Sequence, residues 1–188
     1  MTLQHSSLLP SAWVQRWSAL VPAAARVLDV ACGSGRHVRW FAGRGARVTA
    51  LDRDGLALAS LRTLTDQAIE IVEADIENAP WPLAGRRFDA VVVTNYLWRP
   101  LLPILVASVA DGGVLIYETF ARGNETVGRP SNPVFLLEPG ELLGAVPGLR
   151  VVAFEDGFVA DPVPRFVQRL AAVREDRADG TPRRYLLQ

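Results

Sequence analysis

The stretch that most constrains this chain is residues 26–37, Arg-Val-Leu-Asp-Val-Ala-Cys-Gly-Ser-Gly-Arg-His. Val27, Leu28 and Val30 form a short apolar run of the kind buried on both faces of a parallel strand. The run ends in Gly33-Ser34-Gly35, and from Arg36 the pattern turns helical. Strand, glycine loop and helix in that order let backbone N–H groups approach a ligand, because glycine accepts φ > 0 and has no Cβ in the way. The third glycine of the dinucleotide fingerprint would fall at residue 38, where Val38 stands, so a pyrophosphate is poorly served. Asp29, four residues before Gly33, puts a carboxylate inside the strand, which a purely structural strand does not need. Without a ligand, the same pattern is an ordinary strand–turn–helix.

Composition sets outer bounds. The 188 residues suit one domain with a substantial core, here taken as residues 1–188 with a helical extension at 1–22 and a polar tail at 176–188. All 20 basic residues are arginine, so Schiff-base and lysine-nucleophile chemistry are excluded. The formal net charge of zero offers no global field for nucleic acid or membranes, and neither is expected as a partner. Cys32 is the single cysteine, which rules out an internal disulfide and suits a reducing compartment. No apolar run reaches membrane-span length and no signal-peptide core is evident, so the expected location is cytoplasmic. His5 and His37 have no second ligand at metal spacing, and no metal is expected. Oligomeric state is not legible.

Along the chain, Trp13, Val14, Trp17, Leu20 and Val21 recur at helical spacing, predicting a helix over 11–20 with Ser11 as cap and Pro22 as stop. Residues 47–52 read as a second strand ending on Asp52, close to the ~20 residues after the glycine loop at which a ribose-binding acid is expected. A carboxylate there can accept from both hydroxyls of a diol; its bland alternative is a charged strand end. Residues 56–64 predict a helix and residues 69–75 a third strand. Phe88–Val93 predicts a central strand, residues 101–109 a helix, Asp111-Gly112-Gly113 a turn and 114–118 a fifth strand. Residues 119–137 lack a regular pattern, and a connection of that length often forms a binding loop. Tyr117, Glu118, Arg122, Asn124 and Arg129 are expected near the acceptor site. Strands at 149–155 and 165–175 follow.

Val27-Leu28-Asp29-Val30-Ala31-Cys32-Gly33-Ser34-Gly35 resembles the first motif of class I S-adenosylmethionine-dependent methyltransferases. The pattern Asn95-Tyr96-Leu97-x-Arg99-Pro100 is most similar to the TehB-type, tellurite-resistance-like branch; a histidine often stands there at the position of Trp98. The resemblance implies an α/β, Rossmann-like, seven-stranded and mostly parallel sheet, with helices on both faces and a terminal antiparallel hairpin. It implies S-adenosyl-L-methionine as cofactor, held by Asp29, Ala31, Gly33, Ser34, Gly35, Asp52, Arg53, Asp75, Ile76 and Asn95. The strand acid suits the ligand's sulfonium and ammonium, as it would not suit a phosphate. Asp75, followed by apolar Ile76, matches the family's adenine-facing pair, acceptor beside ring cover.

Ligands of open α/β sheets sit beyond the carboxyl ends of the strands, which puts 94–100 beside the transferred methyl. Asn95, Tyr96, Arg99 and Glu118 are the candidate catalytic residues, with Glu118, Tyr96 or His37 available if a base is required. The expected partner is a small-molecule methyl acceptor, such as a chalcogen oxyanion or another small metabolite. A chalcogen anion would need no base, and Arg99, Arg122 or Arg129 could hold its charge. Two other classes stay open: a non-catalytic S-adenosylmethionine-binding module, whose mark would be an acceptor pocket blocked by Trp98, and an NAD-binding oxidoreductase.

Overall fold

A computed structural model describes residues 9–64, 68–176 and 183–187. Expectations for residues 1–8 and for most of the 176–188 tail lie outside the described residues. The helices are α1 (Ala12–Trp17), α2 (Arg36–Ala42), α3 (Gly55–Ala59), α4 (Leu102–Ala107) and α5 (Glu141–Gly144). The strands are β1 (Arg26–Val30), β2 (Arg47–Asp52), β3 (Ile69–Glu73), β4 (Phe88–Thr94), β5 (Val109–Phe120), β6 (Arg150–Val159) and β7 (Arg165–Val173). They form one seven-stranded sheet in the order β3-β2-β1-β4-β5-β7-β6. β1 lies parallel between β2 and β4, and β5 continues the parallel set beyond β4. β7 then runs antiparallel between β5 and β6. The doubly wound, mostly parallel α/β fold with its terminal hairpin is what the sequence predicts.

Side-chain alternation divides the core. Leu28, Val30, Val91 and Val93 point to one face, where they meet Leu105 of α4 and Leu142 of α5. Val27, Ala90 and Val92 point to the other, against Trp13 and Trp17 of α1, Val38 and Phe41 of α2, and Leu58 of α3. Each fully buried Leu or Val contributes about 1.5–3 kcal/mol relative to exposure. Both layers are required, because strands apolar on two sides cannot leave either one wet. All five parallel strands end at one edge, and the connections that leave this edge build the site.

α1 is tied to that edge. Ser11 caps it by accepting the Trp13 amide at 3.1 Å, while the Ser11 hydroxyl donates to Glu118 Oε1 at 2.9 Å. Trp13 Nε1 donates to the Leu170 carbonyl on β7. The helix is shorter than expected, its last turn tightening to 3-10 geometry at Ser18–Leu20. Other boundaries differ too. The expected 56–64 helix stops at Ala59, where Ser60 caps it and its hydroxyl turns back on the Ala57 carbonyl; Leu56 is exposed. The expected 101–109 helix ends at Ala107, and Val109 already pairs with Phe88 in the sheet. Asp111-Gly112-Gly113 is therefore an irregularity within β5 and not a turn ahead of it. A Cβ on Gly113 would meet the carbonyl oxygens of Phe88, Asp89 and Ala110 at 2.9–3.0 Å, so glycine lets the two strands close up there.

Gly35 has φ +79°, and an added Cβ would lie 2.5 Å from Leu61 Cδ2. It combines the backbone twist that starts α2 with close packing of α2's first turn on the α3 region. Gly35→Ala is expected to lower stability by about 1–3 kcal/mol, read from urea unfolding midpoints. A midpoint equal to the parent's would contradict this role.

Candidate functional site

A cavity of about 340 Å³ opens at the carboxyl edge of the parallel strands. Asp52 and Arg53 end β2, Ala74 to Glu77 follow β3, Asn95 to Leu97 follow β4, and Thr119 and Phe120 close β5 around it. Ala31 after β1 lines the floor, with Pro130 and Phe135 reaching in from the 119–137 connection. Concave, largely apolar and carrying a few convergent polar groups, it has the make-up of a small-molecule site.

The carboxylates are fixed by backbone amides. Asp52 Oδ2 accepts the Gly33 amide at 2.7 Å and its Oδ1 the Asp54 amide at 2.9 Å. A carboxylate has about four acceptor positions, so Asp52 keeps capacity for a ligand. Asp75 Oδ1 accepts the Glu77 and Asn78 amides, and Oδ2 accepts from Asn78 Nδ2. The Asn78 side chain, then the Glu77 amide, hold its pKa below the ordinary carboxylate value. Ala31 and Asn95 have φ +52° and +55°, left-handed conformations that non-glycine residues adopt at a cost of about 1–3 kcal/mol. Both stand at strand ends bordering the cavity, and the Asn95 amide is anchored to the Glu118 carbonyl at 2.9 Å. The Tyr96 hydroxyl donates to Glu77 Oε1 at 3.2 Å; burial and that carboxylate push the phenol pKa upward.

The glycine loop borders the cavity without forming its wall. A Cβ at Gly33 would meet nothing within 4 Å, so the space above that residue is open. The Ser34 carbonyl accepts from Arg39 and from the Ser60 hydroxyl, which fixes the loop from behind. Gly35 packs under Leu61.

Of the expected site residues, Ala31, Asp52, Arg53, Asp75, Ile76, Asn95 and Tyr96 thus gather on one cavity. Asp29, Arg99 and Glu118 stand elsewhere. Arg99 makes a two-point contact with Glu141, at 2.7 and 2.9 Å, and donates to the Val134 and Leu136 carbonyls. It fastens the 133–141 segment and lines a separate open groove with Arg122, which pairs with Glu138. Trp98 packs against the core and does not block the cavity. Tyr117 and Asn124 are also outside the lining. The Tyr117 hydroxyl donates to the Tyr96 carbonyl, and Asn124 ties Pro130 to Phe166. Arg129 is exposed next to cavity-lining Pro130. Within the 119–137 connection, Ala121 bridges Leu137 and so draws its two ends together. Sequence reasoning missed Glu77, Thr119, Phe120, Pro130 and Phe135. Nothing in a loop pattern marks them.

Asp29 lies on the α1–α2 face, fully buried, with both oxygens lacking a hydrogen-bond partner. Burial raises its pKa to about 8, opposed by the charge of Arg36. His37 Nδ1 is 4.0 Å from Asp29 Oδ2, and its Nε2 accepts the Ser11 amide at 3.1 Å. An accepting Nε2 assigns the His37 proton to Nδ1, facing Asp29 and Thr94 Oγ1. Burial and the Arg36 charge lower its pKa to about 3, so His37 is a neutral structural residue. Among the described residues, no three His, Cys, Asp or Glu side chains cluster as a metal site. No helix among them is long and apolar enough to cross a membrane.

The methyltransferase domain family matches residues 27–111. The malonyl-[acyl-carrier protein] O-methyltransferase of Pseudescherichia vulneris is 41% identical over 108 residues, covering 53% of this chain and 41% of that protein. The trans-aconitate 2-methyltransferase of Variovorax paradoxus is 36% identical over 102 residues, covering 50% and 38%. The chain thus spans about two fifths of the length of these curated relatives. Among solved structures, TehB from Haemophilus influenzae superposes with a TM-score of 0.75 at 16% identity, covering 92% of this chain and 64% of that one.

Two outcomes are expected. Arg99→Ala should destabilise the protein by about 1–2 kcal/mol, the contacts being partly screened, and raise hydrogen exchange in 134–137. Unchanged exchange there would refute the fastening role. The second concerns pH. Native Asp29 titrates near 8 and its ordinary value is 3.8, so the folded state holds the extra proton between these limits. Asp29 therefore costs stability as pH rises through that window, and Asp29→Asn should gain on the parent from pH 5 to 8. Parallel stability curves would refute it. His37 works oppositely: its stabilisation is complete above about 6.5 and is lost as pH falls towards 3.

Proposed function

We propose, for a chain that carries a methyltransferase domain on the class I methyltransferase fold, transfer of a methyl group from S-adenosylmethionine to a small-molecule acceptor. The cavity carries this reading: carboxylates end adjacent strands, an apolar residue follows the second, and open space lies above Gly33. That donor set fits an adenosine bearing positive charge. Asp52 would take the ribose hydroxyls on its spare acceptor positions, and Asp75 with Ile76 the adenine amine and ring. Arg53 would border the adenine side. Gly33, Ser34 and Gly35 shape the loop, and Ala31 and Asn95 turn the main chain towards the ligand at the strand ends. Asp29, fully buried, stands outside the cavity lining and is assigned no contact with the cofactor. When bound, S-adenosylmethionine supplies an electrophilic methyl group and a neutral thioether leaving group.

The chain's task is then alignment and exclusion of water. Tyr96, Phe120, Pro130 and Phe135 form the wall for it. None of the candidate bases suits proton removal. The Tyr96 phenol is held protonated, His37 is buried with its Nε2 occupied, and Glu118 is paired with Arg169 at 2.6 Å away from the cavity. Asn95 and Tyr96 would position the acceptor, and Arg99 and Glu118 would support the walls. An acceptor that is already anionic, such as a carboxylate or a chalcogen oxyanion, suits a site without a base. The names of both curated relatives above indicate acceptors that bear carboxylates. A single buried cysteine and a small-molecule substrate fit a cytoplasmic enzyme.

Calorimetric titration with S-adenosylmethionine, S-adenosylhomocysteine and NAD tests the reading. The first two should bind and NAD should not; binding of NAD alone would overturn it. Asp52→Ala should weaken S-adenosylhomocysteine by about 1–3 kcal/mol, through loss of the diol hydrogen bonds. Unchanged affinity would remove Asp52 from the ribose site.

A further inference from the structure

The cavity at the carboxyl edge has two chemically different halves. The strand order β3-β2-β1-β4-β5 puts the ends of β2 and β3 on one side, where Asp52, Arg53 and Asp75 line it. The ends of β4 and β5 lie on the other side, where Tyr96, Phe120, Pro130 and Phe135 supply three aromatic rings and a proline ring. Asn95 and Thr119 are the neutral polar residues of that half. The Tyr96 hydroxyl is spent on Glu77, which leaves its ring as wall.

Charge sharpens the contrast. Three acidic side chains line the cavity, Asp52, Asp75 and Glu77, against one arginine, Arg53, at the β2 end. Arg99 and Arg122, which flank the apolar half in sequence, are paired with Glu141 and Glu138. Arg129 is exposed outside the lining, and neither Arg36 nor Arg165 lines the cavity. A compact anion with two charges, brought into the apolar half, loses its water and gains no cation in return. An apolar group gains by the same transfer. Phe135 lines the cavity and is nevertheless 45% exposed, so a ligand body placed against it takes apolar surface out of water.

The main chain that carries Phe135 is held firmly. Arg99 donates from Nη1 to the Val134 carbonyl at 2.7 Å and from Nη2 to the Leu136 carbonyl at 2.8 Å, gripping the chain on both sides of Phe135. Its Nε and Nη2 meet the Glu141 carboxyl group at 2.7 and 2.9 Å, which fixes the fork that does the gripping. Leu136 and Leu137 are fully buried, and the Leu137 amide donates to the Phe120 carbonyl at 3.0 Å. The strap bearing Phe135 is thereby set against the strand end bearing Phe120.

We infer that the β4–β5 half is the compartment for the methyl acceptor and takes an apolar, ring-sized body with at most one charge, Phe135 setting its width. Arg99 is then a positioning residue that acts on the acceptor through Phe135. The inference rests on the methyltransferase reading and narrows its acceptor class.

Titration calorimetry on the full chain, loaded with S-adenosylhomocysteine, compares phenylacetate and its neutral counterpart phenylacetamide with malonate and selenite. Malonate is phenylacetate with the ring exchanged for a second carboxylate, so that pair isolates the body. A ring-bearing probe is expected to bind at least tenfold more tightly than malonate or selenite. Phe135→Ala, its folding checked by thermal melts, should cost that probe at least tenfold more than it costs S-adenosylhomocysteine, and Phe135→Leu should restore most of the loss. Arg99→Ala should reproduce the loss in the parent and add nothing in the Phe135→Ala background; a full further loss there would refute action through Phe135. Malonate or selenite binding as tightly as the ring probes, no binding of either ring probe, or ring-probe affinity unchanged in Phe135→Ala overturns the compartment. If S-adenosylhomocysteine does not bind but a ring probe binds the unloaded chain and is lost in Phe135→Ala, the apolar compartment stands and the methyltransferase reading fails.

Discussion

The Gly33 amide donates to Asp52 Oδ2 at 2.7 Å, and much of the site follows from that bond. It joins the turn after β1 to the end of β2, and so fixes two neighbouring strand ends relative to one another. The bond needs a loop with left-handed turns, which Ala31, Gly33 and Gly35 provide in sequence at φ +52°, +54° and +79°. It also leaves Asp52 oriented and only partly saturated, the condition for a ligand-binding carboxylate. The Ser34 carbonyl, taken by Arg39 and Ser60, locks the other side of the loop.

The two faces of the sheet divide the work. The α4–α5 face is an apolar packing layer, interrupted by the Tyr117 hydroxyl, which is bonded to the Tyr96 carbonyl. The α1–α2 face is apolar over most of its length and turns polar at the carboxyl edge, where Asp29, His37, Thr94, Glu118 and Arg169 are all buried or nearly so. Buried polar networks are retained only where their members are satisfied or where function requires otherwise. Ser11, His37 and Glu118 belong to the satisfied part. Asp29 and the Arg165 Nε do not.

Legibility in the sequence followed the range of the interactions concerned. Asp52, Asp75 and Ile76 were readable because strand ends are local features and a parallel sheet sends every strand end to one edge. Arg99 stands outside the cavity although its neighbours in sequence, Asn95–Leu97, line it, because its own partner lies some forty residues on at Glu141. Glu118 was placed at the acceptor for a similar reason. It adjoins cavity-lining Thr119, but alternation turns consecutive side chains to opposite faces of β5 and sends Glu118 to Ser11 and Arg169. Phe135 and Pro130 reach the cavity by the path of an irregular connection, which no periodicity records.

The sequence by itself determined the doubly wound sheet, the glycine turn and the acids at the strand ends, since apolar runs, glycines and spacing act over a few residues. The tertiary structure alone decided which charges are spent on one another and which are left over. Arg99 is consumed by Glu141 and Glu118 by Arg169, partners that lie far apart along the chain. Ion pairing depends on distances of a few ångströms between side chains, and only the folded sheet sets those distances.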